Sequence, residues 1–401
     1  MAKSRVDKWE RPVDQKILPE SVSIAGFKIE EPDEVVVDGK VVTHTRPFYR
    51  GENANFWPNE ESFERDDFLQ EYCAKGVMPE APFISADSVV VAFGSCFAKH
   101  ISDHLAGLGF RIESRNADKA YISRIGDGIV NTYAIRQQFE WAWENKVPEV
   151  SLWHGYDGRE FGYDDDVRLE TKHIFDKAEV FIITLGLSEI WYDEPTGHVF
   201  WRAVPKENFD PARHKFRVAS PAENTENLKA IHAVIRKHRP DARIVFTLSP
   251  IPLLATFRPI SCMVANSVSK ANLRCAVDSL MTEANDPRLF YFPSYEIVTN
   301  CFSRPFIYDR RHVFLHILDL NMRLFERYYC NSGVTDERLL RIWQRAQRMD
   351  RRYARMEPRA VAELETQEIE RRLEAQRAFR RGRRREAMRA RRAGGAAALG
   401  D

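Results

Sequence analysis

Two short stretches of this chain hold side chains able to act on each other. Val89 to Ala98 is an apolar, β-branched run that stops at Gly94 and continues as Ser95, Cys96, Phe97 and Ala98. Such a run predicts a buried strand, and Lys99, His100, Ile101, Leu105 and Leu108 follow at helical spacing, so Ser95 falls between strand and helix. That join lies at the carboxyl edge of a parallel sheet, where open α/β folds take ligands beside the free N–H groups of a helix start. A serine hydroxyl attacks only when a base takes its proton and an acceptor orients the base. Asp309 and His312, three residues apart, offer that pair. A serine at this position equally suits an N-cap, and Cys96 is a rival nucleophile whose thiol a helix start can activate. His316 lies four residues after His312, but no glutamate follows His312 as a zinc-binding H-E-x-x-H helix requires, so no metal is expected.

An acyl transfer also needs donors for the developing oxyanion. The Ser95 N–H is one. Gly186 directly follows the apolar run Val180 to Leu185 and brings a backbone N–H close, unless it is only a strand-ending turn; Asn131 offers a side-chain amide, unless it only caps a helix. Glu189, Trp191 and Tyr192 beyond that run would suit a sugar, or else form core. Lys270 and Arg274 share a helix face that could hold an anion or simply meet water.

The pentapeptide Gly94 to Ala98 resembles the signature of the GSCFA family, a bacterial branch related to the SGNH (GDSL-like) esterases and acyltransferases. The likeness continues through Asn131 to Gln137, Thr184 to Trp191, Thr247 to Leu253, Ser269 to Ala271, Tyr291 to Glu296 and Asp309 to His312, and covers about residues 47 to 330. It implies a three-layer α/β/α, flavodoxin-like parallel sheet. It also implies Ser95 as nucleophile, His312 as general base and then acid, and Asp309 as its orienter. Where SGNH enzymes place an asparagine in their third block, this chain reads Gly186, Leu187, Ser188, Glu189; Ser188 or Asn131 must fill the oxyanion role, or the site is weakened. The expected activity is that of a serine esterase or O-acyltransferase on a small-molecule or glycan O-acyl ester. The alternative is a glycan-binding or scaffold protein on the same fold.

Four strands, Val89 to Phe93, Val180 to Leu185, Arg243 to Leu248 and Leu289 to Phe292, alternate with helical patterns, which predicts a parallel sheet covered by helices. The helices are expected at Asn131 to Glu144, Ala222 to His238, Ser269 to Ala284 and Phe314 to Tyr329. Trp153 to Asp166 reads as a loop or inserted hairpin. Residues 1–46 form an extension with a hairpin about Asp38-Gly39, residues 47–330 the enzyme-like domain, and residues 331–401 an Arg-rich helical tail whose end is disordered.

With 401 residues, 44% hydrophobic, the chain can bury one substantial core. Its net charge of +1 predicts no partner, but from Thr335 onward there are 19 Arg and no Lys against 11 acidic residues. Arg377, Arg380, Arg381, Arg383, Arg384, Arg385, Arg389, Arg391 and Arg392 could touch a polyanion, although the interleaved glutamates favour a solvated helix. No apolar run is long enough to cross a membrane, and the first residues do not read as a secretory signal. Six scattered cysteines without a Cys-x-x-Cys pair fit reduced thiols in the cytoplasm. No cofactor is expected.

Overall fold

The computed structural model describes residues 33–37, 40–44, 55, 57–115, 119–155, 157–371 and 374. The chain divides into two compact units, residues 1–75 and 76–401. In the first, β1 (Asp33–Val37) and β2 (Lys40–His44) pair antiparallel, with Val37 opposite Lys40 as the hairpin about Asp38-Gly39 requires. Asp38 and Gly39 themselves lie outside the described residues, as do residues 1–32 and the cluster from Arg377 to Arg392.

The second unit is α/β. Its elements in order are β3 (Val90–Phe93), α1 (Cys96–Gly107), α2 (Tyr121–Arg124), α3 (Thr132–Glu144), α4 (Asp165–Lys177), β4 (Val180–Leu185), β5 (Glu189–Asp193) and β6 (His214–Val218). There follow α5 (Pro221–His238), β7 (Arg243–Leu248), α6 (Cys262–Ala284), β8 (Leu289–Phe292), α7 (Ser294–Asn300), α8 (Leu315–Tyr329) and α9 (Asp336–Ala354). Residues 358–371 form a further helix that opens on Pro358, where a missing N–H costs nothing.

Four strands form one parallel sheet in the order β3-β4-β7-β8, each fully or nearly buried. Strands buried on both faces favour apolar residues on both, which is why these runs are nearly continuous rather than alternating, interrupted only by Thr184, Thr247 and the half-buried Arg243 at the start of β7. One face, with Phe93, Phe181 and Phe246, packs on the core side of α3, α5 and α6. On the other, Phe292 meets Phe325 and Tyr329 of α8 edge-on. Helix ends carry their expected signals. Ser220 and Glu223 close a capping box with Pro221 at the first turn of α5, and Asn145 and Asn285 end α3 and α6 in the left-handed region.

Beyond β3 the chain doubles back. Ile112 makes a parallel bridge to Val90 on the edge of β3 away from β4, and the Val90 N–H donates to the Arg111 carbonyl at 3.0 Å. Successive segments thus lie on opposite sides of β3, and the chain reverses its direction of travel across the sheet at that strand. Such a switch opens a crevice at the carboxyl end of the strand.

Three departures from expectation have local causes. The helix expected from Ser269 starts at Cys262, because its first turns are exposed at Met263 and Val264 and carry no apolar stripe. The antiparallel pair β5-β6 is an addition to the expected elements; β6 is half-buried throughout, β5 is buried except at Trp191 and Tyr192, and both mix aromatics with charge. α4 is a helix not among those expected, entered at Asp165 from the Asp164 N-cap; the stretch from Trp153 ahead of it makes the inserted hairpin, one of its two readings, with the Phe161 N–H bonded to the Trp153 carbonyl at 2.8 Å. No helix among the described residues is long and apolar enough to cross a membrane.

Candidate active site at the carboxyl edge of the sheet

Gly94 makes the turn out of β3. Its φ is +131°, and a Cβ there would stand 2.1 Å from the Thr184 carbonyl oxygen, so no other residue fits. Its N–H donates to the Gly126 carbonyl at 2.9 Å. Ser95 follows as the N-cap of α1, 5% exposed, its Oγ accepting from the Phe97 N–H at 3.2 Å. The capping reading is therefore realised; the cap uses an Oγ lone pair and leaves the hydroxyl proton to be given away. The Ser95 N–H has no hydrogen-bond partner among the described residues.

Asp309 and His312 form a tight turn. The Asp309 Oδ1 accepts the backbone N–H groups of Arg311 and His312, each at 2.9 Å, while its Oδ2 takes the His312 Nδ1–H. Burial pushes the Asp309 carboxyl up, but the His312 bond and the two backbone N–H groups outweigh it and hold the group below the usual carboxylate range. With Nδ1 committed, Nε2 is the nitrogen left to accept a proton. Arg310 adopts the left-handed conformation at φ 59°, and Arg311 donates from Nε and Nη2 to the Pro252 carbonyl at 3.3 Å, tying the turn to the segment beyond β7.

The two stretches are neighbours. His100, on α1, has its imidazole pushed down to about 4 by burial first and then by the charges of Lys99 and His312. His312 thus lies near the first turns of the helix that Ser95 caps. No hydrogen bond joins Ser95 to His312 among the described residues.

The other candidate donors are engaged in the fold. The Gly186 N–H donates to the Val130 carbonyl at 2.8 Å, and a Cβ on Gly186 would come within 2.7 Å of the Val130 Cβ. Asn131 caps α3 through Oδ1, which accepts from the Ala134 N–H at 2.8 Å, while Nδ2 donates to the Trp201 carbonyl at 3.0 Å. Ser188 is buried, with both its N–H and Oγ on the Ser269 hydroxyl. Glu189 accepts from Thr256 at 2.8 Å, and burial raises its carboxyl against the pull of that bond and of Arg258. Trp191 is partly buried and packs edge-on to Phe257 and Phe209, both of which are exposed.

One residue at this edge departs from expectation. Lys270 is not on a solvated face; it is 2% exposed and donates to the carbonyls of Gly186 and Ser249 at 2.6 and 2.8 Å. Arg274, one turn later, is paired with Glu296 and Asp278. The signal is present in the sequence, since Lys270 keeps helical register with Leu273 and Val277 on the buried side of α6.

The model of the GSCFA family matches residues 89–325. The chain belongs to the GSCFA family. No curated protein matches it. The GSCFA match runs from the first residues of β3 into α8 and takes in Ser95, Lys270, Asp309 and His312, whereas α9 and the helix from Pro358 lie beyond it. It is narrower than the 47–330 span expected from the sequence blocks. Among the described residues no group of three or more His, Cys, Asp or Glu is placed to hold a metal.

Proposed function

We propose that this GSCFA protein is a serine esterase or O-acyltransferase of the SGNH type, on a three-layer α/β/α version of its sheet, acting on an O-acyl ester through an acyl-Ser95 intermediate. The observation that carries the reading is the Asp309–His312 turn, which fixes the histidine tautomer beside the helix whose N-cap is a serine at the sheet's switch point.

In this reading His312 Nε2 takes the Ser95 hydroxyl proton as Oγ bonds to the ester carbonyl carbon. The carbonyl π electrons move onto oxygen, and the resulting oxyanion meets the Ser95 N–H and the positive end of α1. Collapse expels the alcohol, which leaves with the proton from His312. Water or a second hydroxyl then attacks the acyl-Ser95 ester by the same route in reverse, giving hydrolysis or transfer. For the alcohol portion we propose a carbohydrate, whose hydroxyls would find an acceptor in Glu189.

The experiment is labelling of the pure protein with a fluorophosphonate, which forms a stable bond to an activated serine. The unmodified protein and Cys96→Ala should label, and Ser95→Ala should not. Labelling that survives Ser95→Ala but is lost in Cys96→Ala would move the nucleophile to the thiol. The engagement of Gly186, Asn131 and Ser188 within the fold favours a second reading, a glycan-binding or scaffold protein that keeps the fold without turnover. Absence of any labelling would select it.

A further inference from the structure

Lys270 bridges two strands. Gly186 and Ser249, whose carbonyls it holds, are the first residues beyond the neighbouring strands β4 and β7. An ammonium has three N–H groups, and the third has no acceptor among the described residues. The strand ends present only carbonyls to it. The charged or titratable groups that act on it are Cys96 at the start of α1 and Arg311 from the Asp309–His312 turn. Gly94, whose Cα presses on the Thr184 carbonyl two residues before Gly186, independently fixes the Ser95–Cys96 turn over the same strand end. Burial first, and Arg311 second, make the amine give up its proton more readily, against Cys96, so that its titration falls to about 7.

We propose that Lys270 is a positioning residue for chemistry at Ser95. As an ammonium it fixes the spacing of the β4 and β7 ends and sets a positive charge beneath the Ser95–Cys96 turn. That charge favours the negative oxygen formed during acyl transfer. It thereby supports the step for which Gly186, Asn131 and Ser188 have their donors engaged elsewhere. The proposal rests on the Ser95 reading. When the lysine loses its proton the carbonyl clamp survives, because a neutral amine keeps two N–H groups, but the charge is gone.

The test is the pH dependence of the fluorophosphonate labelling rate at Ser95, in the full chain, for the unmodified protein, Lys270→Met and Cys96→Ser. The unmodified protein should lose rate on the alkaline side with a midpoint near 7. Lys270→Met should label about ten-fold more slowly or worse near pH 6 and lack that limb. Cys96→Ser, which removes the thiol's own titration, should keep it. If Lys270→Met does not fold, as judged by loss of a cooperative thermal transition, the limb in Cys96→Ser decides. A limb that persists in folded Lys270→Met, or is missing from Cys96→Ser, overturns the role of Lys270 while Ser95 stands. No labelling of the unmodified protein at any pH overturns the Ser95 reading and this one with it.

Discussion

The α-carbon of Gly94 presses directly on the Thr184 carbonyl, close enough that a Cβ would sit 2.1 Å from the oxygen. Neither partner can yield, since both are backbone in neighbouring parallel strands or their ends. Gly94→Ala is therefore expected to destabilise the protein by about 3 kcal/mol or more, or to prevent folding, as followed by urea unfolding. Gly107→Ala is the contrast. Gly107 ends α1 with open space where a Cβ would stand and no left-handed φ, so alanine there should be neutral or stabilise by about 0.5 kcal/mol.

Asp309→Asn keeps the shape of the turn but removes the charge that orients His312. Fluorophosphonate labelling should fall by about 10³ to 10⁴-fold, with a thermal midpoint within a few degrees of the unmodified protein. A fall of only a few-fold would mean that the Asp309–His312 pair serves the turn and not the chemistry.

Asn131→Ala separates a fold role from an oxyanion role. It removes the cap of α3 and leaves the Trp201 carbonyl without its donor, so chemical denaturation should show a loss of about 1–3 kcal/mol. Labelling of the folded fraction should change by only a few-fold. A hundred-fold loss at unchanged stability would instead make the amide an oxyanion donor.

Glu223 gives a pH prediction with a definite sign. Burial would raise its carboxyl, but Arg217, the Ser220 N–H and Tyr133 outweigh this and hold it down to about 2. A carboxyl lowered in the folded state contributes fully above its unfolded value of 4.5, and the contribution is lost as pH falls from there towards 2. Glu223 and Arg217 are each more than a third exposed, so solvent screening reduces the effect to about 1 kcal/mol. Glu223→Gln should be less stable than the unmodified protein by that amount at neutral pH, and the gap should close below pH 4.5; a gap independent of pH would exclude the ion pair as its source.

The central sheet was legible because strands buried on both faces favour apolar, β-branched runs, and Val180 to Leu185 and Arg243 to Leu248 carry such runs with little else. The Asp309–His312 contact was legible because three residues suffice to fold it. Long-range pairings were not. Nothing local tells Glu189 to Asp193 that His214 to Val218 lies alongside, and nothing local shows that the Gly186 N–H is taken by Val130. Lys270 lies between these cases. Its periodicity marks a buried face, but a lysine side chain argues for water, and only the two strand-end carbonyls explain why a cation belongs there.

The second unit is fastened between its first residues and the end of α8. The N–H groups of Phe83 and Ile84 donate to the Tyr329 carbonyl at 3.0 and 2.8 Å, and the Asn331 N–H returns to the Ile84 carbonyl at 2.8 Å. Residues just ahead of β3 thus wait for partners made at the end of α8. The clasp needs residues 329–331, which follow the whole family segment 89–325, and closing so long a loop is entropically slow. A polypeptide cut short before Tyr329 leaves the Phe83–Ile84 segment without these partners, so the clasp ties the residues ahead of β3 to the end of α8 and not to the helices that follow it.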